Sequence, residues 1–112
     1  MDAADRARYL VPATATLEAA LAVIEENRHR SVIVVDDRDV AVGTLSDGDA
    51  RKAILDRRLL STPVRDVMNM NFISVGPDEH ERAREIFAAE DHISLLPVVD
   101  DSGRILDVLK AY

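Results

Sequence analysis

The sequence predicts an α+β domain made of two copies of one β-α-β-β-α unit. The first observation is a repeat. Displacing the chain by 64 residues sets Val11 on Val75, Ala19 on Ala83 and Glu26 on Glu90. The same shift sets Val34, Val35, Asp36 and Asp37 on Val98, Val99, Asp100 and Asp101, and Leu45 on Leu109, with no gap. One short match would be chance, but a register held over roughly forty residues is a duplication signal. The second observation is periodicity: in both copies helical spacing of apolar residues gives way to a continuous apolar run. The copies are assigned to residues 1–62 and 63–112.

Each copy opens on a short extended piece, YLVP and FISVGP. In the first helix, Thr16 stands at the N-cap, and Leu17, Ala20, Leu21 and Ile24 share a face. In the second copy's helix, Asp78 and Glu81 after Pro77 have capping-box spacing, and Ala83, Ile86 and Phe87 share a face. SVIVV and LLPVV are apolar at successive positions, which predicts strands buried on both faces. DDRD and DDSG read as tight turns, followed by the strands VAVGTL and RILDVL.

The first copy adds a helix from about Asp47 to Leu59, with Ala50, Ala53 and Ile54 on one face and Pro63 breaking it. In the link 60–71, Val64, Val67 and Met68 pack as a short turn, and Met68 and Met70 read as gap-fillers of a core. The second copy reaches Tyr112 without a final helix. That suggests a fragment of a longer chain, and apolar surface on the second copy that a partner chain covers.

Bulk properties narrow the function. The 112 residues suit one domain with one modest core, and 47% apolar with 31% charged residues is ordinary for a globular protein. There is no Cys, which excludes disulfides and thiolate metal sites. No apolar run approaches the ~20 residues that span a bilayer, and MDAADRARYL lacks a signal core. A cytoplasmic location with no membrane partner is expected. The net charge of −7 disfavours nucleic acid. The local clusters Arg28, His29, Arg30 and Arg51, Lys52, Arg57, Arg58 read as solvated surface unless a site uses them.

No catalytic residue or metal ligand is assigned. His29, His80 and His92 are scattered, and no Ser-His-Asp order, HExxH or P-loop occurs. SVIVVDD resembles the acidic strand end of a receiver domain, but another strand follows where that fold has a helix. DGD fails as an EF-hand loop, since the twelfth position from Asp47 is Arg58 rather than Glu.

VGTLSDGDARKA is the chemically dense segment. A nucleoside needs an apolar slot for the base, acceptors for two ribose hydroxyls, and donors or cations for phosphate. A carboxylate suits the vicinal hydroxyls because it accepts from both. A helix starting near Asp47 puts Ser46 and Asp49 on one turn, next to N–H groups and a dipole that favour an anion. The same two residues also read as a plain helix cap.

The duplicated order, with VVDD, Gly43 and GTLSDGDAR, resembles a CBS domain pair (a Bateman module) over about residues 9–112. The likeness is carried by Val34–Asp37, Gly43, Ser46, Asp49 and Arg51, and in the second copy by Leu96–Asp101 and Gly103. VRDVMNMNFISVGPD looks like the start of a second CBS motif. GTLSDGDARKAIL with DVMNMNFISV looks like the pairs fused to sugar-phosphate nucleotidyltransferases, and also like those fused to sugar-phosphate isomerases.

The resemblance implies a regulatory module that is not itself an enzyme. It would sense an adenosyl nucleotide (AMP, ADP or ATP as candidate ligands, no cofactor required), form a homodimer, and control a nucleotidyltransferase domain absent from this chain. In the family a Ser/Thr-x-x-Asp pattern holds the ribose, and Ser46 and Asp49 match it. By position the resemblance also implies Arg30 at phosphate, Thr44 lining the slot with backbone and side chain, and Asp78, Ala83, Leu95 and Leu96 completing the pocket from the opposite copy. Arg30 reads equally as a solvated helix end, and Leu95 and Leu96 as core. Arg51 and Lys52 could attract phosphate or be exposed helix surface.

At the 64-residue offset Gly43 meets Asp107 and Ser46 meets Lys110, and the equivalent of Asp49 falls past Tyr112. At most one competent site is expected. The rival reading is a ligand-free dimerisation or docking scaffold of the same fold.

Overall fold

The computed structural model describes residues 1–112. The elements are α1 (Ala3–Tyr9), β1 (Leu10–Pro12), α2 (Leu17–Asn27), β2 (Ser31–Val35), β3 (Ala41–Ser46), α3 (Asp47–Leu55), a 3-10 turn (Val64–Asp66), α4 (His80–Ala89), β4 (Leu95–Val99) and β5 (Ile105–Lys110). In the first copy β2 pairs parallel with β1 and antiparallel with β3. In the second, β4 pairs antiparallel with β5. The place of a third strand is held there by a single parallel bridge, Val75 to Val98, which repeats the Val11–Val34 pair 64 residues on. Both hairpins even carry the same irregularity, between Val34 and Val35 and between Val98 and Val99. This is the tandem α+β motif the sequence predicts, and no helix follows β5.

Burial on both faces of β2 gives the fold three cores. Side chains alternate across a strand. Val32 and Val34 therefore face the first copy's own helices, packing with Leu17, Ala20, Ile24 and Ala50. Ile33 and Val35 face the other way, joining Ala41, Leu95, Ile105 and Val108 in a core shared by the two copies. A smaller core of Val75, Ala83, Leu96 and Val98 lies under α4. Thr16 caps α2 as expected, its hydroxyl oxygen accepting the Ala19 N–H at 3.1 Å.

The copies are joined at the tips of their hairpins. The Ala41 N–H donates to the Gly103 carbonyl at 3.0 Å, and the Ile105 N–H to the Asp39 carbonyl at 2.9 Å. Each bond is the other displaced by 64 residues, so a pseudo-twofold axis passes between the two turns. Both acceptor residues have left-handed backbone, Asp39 at φ 66° and Gly103 at φ 85°. Each turn is tied by its leading aspartate. Asp36 Oδ1 accepts the N–H groups of Arg38 and Val40 at 2.9 and 3.0 Å. Asp100 Oδ1 accepts those of Ser102 and Arg104 at 2.9 and 3.0 Å.

Several expectations are corrected. α1 was not anticipated, because seven residues without an apolar stripe give no periodic signal. Asp2 caps it, and the buried Asn27 ties its end by donating from Nδ2 to the Arg8 carbonyl at 3.0 Å. α3 stops at Leu55 rather than near Leu59, because Arg57 turns left-handed at φ 66°, well before Pro63. Ile54, one residue on from the buried Ala53, lies towards the outer side and is 48% exposed. The Asp78/Glu81 capping box does not form. α4 begins at His80 behind Glu79, whose carboxylate accepts the Gly76 N–H at 2.8 Å. Met68 packs on the first core, whereas Met70 is exposed. Exposed apolar side chains occur on the second copy, at Met70, Ile73, Leu106 and Tyr112, and also on the first, at Ile54, Leu55, Leu59 and Leu60.

The two turn aspartates give the fold an acid limit. Both carboxyls are held below the ordinary carboxylate value, Asp36 chiefly by the Val40 N–H and Asp100 chiefly by the Arg104 N–H. A depressed folded-state pKa contributes stability that is complete above the unfolded-chain value and lost as pH falls through the folded one. The double replacement Asp36→Asn/Asp100→Asn is expected to flatten the loss of stability below about pH 4, followed by urea unfolding at stepped pH. A slope equal to that of the unmodified chain would contradict it.

Candidate functional site

β3 hands over directly to α3, and the junction is made by two side chains. Ser46 is the N-cap, with extended backbone (φ −99°, ψ 168°). Its Oγ accepts the Asp49 N–H at 3.1 Å, while Asp49 Oδ2 accepts the Ser46 N–H at 3.0 Å. This is a reciprocal capping box written with Asp in place of Glu. The Asp47 N–H donates to the Arg30 carbonyl at 2.9 Å, which fixes the helix start against the end of the α2–β2 turn. The box uses one oxygen of the carboxylate and one lone pair of the hydroxyl. Asp49 Oδ1 and the Ser46 O–H stay free for a ligand.

These groups border a cleft of about 470 Å³ between the two copies. Its polar wall comes from the first copy: Thr44, Ser46, Gly48 and Asp49, with Arg30 and Arg51 supplying positive charge. Its apolar side chains come from the other side, Phe72, Ile73, Ile93, Leu95 and Leu96, set among the polar Asn69, Asn71, His92 and Ser94. The arrangement can therefore take a molecule with an apolar ring at one end, vicinal hydroxyls in the middle and an anionic group near an arginine. Helix N-termini favour anions through their free N–H groups and dipole.

Of the eight residues singled out in the sequence, the structure brings six to this cleft: Ser46, Asp49, Thr44, Arg30, Leu95 and Leu96. Asp78 and Ala83 are not among its lining. Asp78 is exposed ahead of α4, and Ala83 is 2% exposed within the core under that helix. Thr44 contributes less than expected, because both of its backbone groups are taken. Its N–H donates to the Asn69 carbonyl at 3.0 Å, and its carbonyl accepts the Asn69 N–H at 2.8 Å. Only its side chain remains for a ligand.

Sequence reasoning missed Phe72, Ile73 and Ile93. The first two follow directly on the link, whose Asn69 pairs with Thr44 of β3, a long-range contact that no local pattern announces. Ile93 and Ile73 could have been found from the repeat, since they stand 64 residues beyond His29 and Tyr9.

The pseudo-symmetric counterpart of the cleft is lined by different chemistry. There Lys110 replaces Ser46, Val108 replaces Thr44, and His29 and Tyr9 replace Ile93 and Ile73. His29 stacks on Tyr112 with ring centroids 4.9 Å apart and meets Tyr9 edge-on at 5.6 Å, while the Lys110 ammonium sits 5.0 Å from the Tyr9 ring centre.

The chain matches the sequence model of the CBS domain over residues 6–56 and 64–111. An uncharacterized protein of Helicobacter pylori is 31% identical over 106 residues, covering 89% of this chain and 31% of that protein. Inosine-5'-monophosphate dehydrogenase of Methanocaldococcus jannaschii is 33% identical over 95 residues, covering 84% of this chain and 18% of that enzyme. The chain thus spans less than a third of the length of these curated relatives. Among solved structures, a protein of Vibrio cholerae described as an acetoin utilization protein, AcuB, superimposes with a TM-score of 0.77 at 28% identity, over 91% of this chain and 76% of that one. CBS domain protein PAE2072 from Pyrobaculum aerophilum, complexed with AMP, has a TM-score of 0.75 at 24% identity, over 94% and 81%. At that identity the second likeness is one of fold.

Gly43 holds the link against the site. A Cβ there would stand 2.5 Å from Met68 Sδ and 3.1 Å from the Asn69 carbonyl oxygen. Gly43→Ala is expected to lower stability by about 1–3 kcal/mol through overpacking, with Met68→Ala in the same background restoring part of the difference. Chemical denaturation measures both, and an unchanged midpoint in Gly43→Ala would contradict the packing argument.

Proposed function

As the chain belongs to the CBS domain family, we propose that it is a regulatory module whose single cleft binds an adenosyl nucleotide and whose occupancy controls an attached enzyme domain. The observation that carries this is the free Oδ1 of Asp49 and the free O–H of Ser46, presented together at a helix N-terminus opposite an apolar wall. In this reading Asp49 accepts from the ribose hydroxyls. Ile73, Ile93, Leu95 and Leu96 enclose the base, Thr44 lines the floor with its hydroxyl, and Arg30 and Arg51 face the phosphate. Asp78 and Ala83 are left out. The AMP bound by the Pyrobaculum aerophilum protein supports an adenosyl ligand.

The partner we propose is an enzyme domain outside these 112 residues, of the sugar-phosphate nucleotidyltransferase class. The class rests on the likeness of GTLSDGDARKAIL and DVMNMNFISV to pairs attached to such enzymes, a likeness shared with pairs attached to sugar-phosphate isomerases, while relatives in which the matching segment is a minor part of a longer chain support an attached domain of some kind.

One observation favours a second reading, the ligand-free dimerisation scaffold. Ile54, Leu55, Leu59 and Leu60 leave a row of apolar side chains exposed on and after α3, the kind of surface that associates.

Calorimetric titration with AMP, ADP, ATP and S-adenosylmethionine separates the two. At least one is expected to bind at one molecule per chain. Asp49→Asn, which keeps an acceptor for the helix cap but removes the charge, is expected to weaken binding at least tenfold while thermal unfolding changes little. No binding by any of the four, with a stable dimer in light scattering, would leave the scaffold as the function.

A further inference from the structure

The turn from α2 into β2 is held in an unfavourable backbone conformation. Arg28 at φ 61° and Arg30 at φ 60° both lie in the left-handed region, which side-chain-bearing residues rarely adopt. Two buried side chains hold them there. Asn27 donates from Nδ2 to the Ser31 carbonyl at 3.0 Å, and its Oδ1 accepts the His29 N–H at 2.7 Å. The His29 ring spans two backbone oxygens, Nδ1 lying 2.8 Å from that of Asn27 and Nε2 2.8 Å from that of Tyr112. Tyr112 stacks on the same ring, with 16° between the planes. The Ser94 hydroxyl donates to the His29 carbonyl, and the Ala111 N–H donates to the Ser94 carbonyl at 3.0 Å.

His29 and Tyr112 do not line the nucleotide cleft, yet residues this frame fixes, Arg30 and Ser94, do. Arg30 and Ser94 are also equivalent positions in the two copies. In the half of the molecule without a ribose motif, these contacts form a clamp that holds His29 between Asn27 and Tyr112.

We propose that His29, gripped between Asn27 and Tyr112, is a positioning residue that holds the Arg30 guanidinium at the mouth of the cleft, so that the Ala111–Tyr112 segment sets the affinity for the ligand's phosphate. This deepens the nucleotide reading of the cleft and rests on it. The side chain that the clamp orients faces the anionic end of the ligand, so its loss is felt mainly there. Arg30 reaches phosphate, whereas the ribose and base groups are supplied by β3, α3, β4 and the segments that flank them.

The test compares AMP with adenosine, which shares every feature except the phosphate. Tyr112→Ala truncates a side chain that is 66% exposed, and His29→Ala removes the ring that it grips. Circular dichroism reports both fold and clamp, because Tyr9 and Tyr112 are the chain's two tyrosines and it has no Trp. Each variant is expected to bind AMP about three- to tenfold more weakly and adenosine as the unmodified chain does. Arg30→Ala is expected to lose about tenfold for AMP, and Tyr112→Ala added to it to lose no more, since residues acting through one another are not additive. Equal losses for AMP and adenosine, or an unchanged AMP affinity once the tyrosine signal of the stack is gone, would overturn the proposal. If the unmodified chain binds neither compound, the nucleotide reading itself fails, and this one with it.

Discussion

Two backbone hydrogen bonds, Ala41 N–H to Gly103 and Ile105 N–H to Asp39, are the constraint on which the rest of the structure depends. They run in opposite senses across one point, so they can form together only if the copies face each other about a twofold. That arrangement turns Ile33 and Val35 towards Leu95 and Ile105, and so creates the core the copies share. It also decides where clefts can exist. Each copy's second strand ends beside the first strand of the other, so the symmetry generates two equivalent crevices. The turns that supply the acceptors hold left-handed residues, and the Asx-type bonds of Asp36 and Asp100 pin those residues in place.

Symmetry of backbone did not bring symmetry of chemistry. One crevice keeps a hydroxyl, a carboxylate and a helix N-terminus. The other has Lys110 where the hydroxyl would be, and it is packed with His29, Tyr9 and Tyr112. The retained crevice also shows that capping and binding need not compete for Ser46 and Asp49. A carboxylate has two oxygens and a hydroxyl can accept and donate at once. The cap therefore fixes the rotamers of the two groups and leaves one atom of each pointing onward. A site whose side chains are already locked loses little conformational entropy when a ligand arrives.

The sequence made the repeat, its register and the strand–helix order legible because duplication and burial write themselves into apolar periodicity. β2 is the clearest case: SVIVV is apolar throughout because both of its faces are covered, by different copies. What was not legible depended on contacts distant in sequence or on short elements. α1 is seven residues with no stripe. The early stop of α3 turns on Arg57 adopting a left-handed conformation, which that residue type does not advertise. Six of the eight singled-out site residues meet at the cleft because they lie on or beside β2, β3 and β4, or in the first turn of α3, where the repeat fixes position. Asp78 and Ala83 do not, because Asp78 stays exposed ahead of α4 and Ala83 lies on the apolar face of that helix, packed into the core beneath it. The link from Asn69 to Ile73 escaped because its pairing with Thr44 comes from tertiary folding.

In the proposed binding mode the cap and the ligand use different atoms of the same two side chains, in one of two symmetric crevices. A crystal structure of the chain grown with AMP tests it most directly. The account predicts one nucleotide per chain, its ribose within hydrogen-bond distance of Asp49 Oδ1, and the bond from the Ser46 N–H to Asp49 Oδ2 intact. A nucleotide lodged against Tyr9 and His29, or an Asp49 side chain that leaves the cap to reach its ligand, would contradict it.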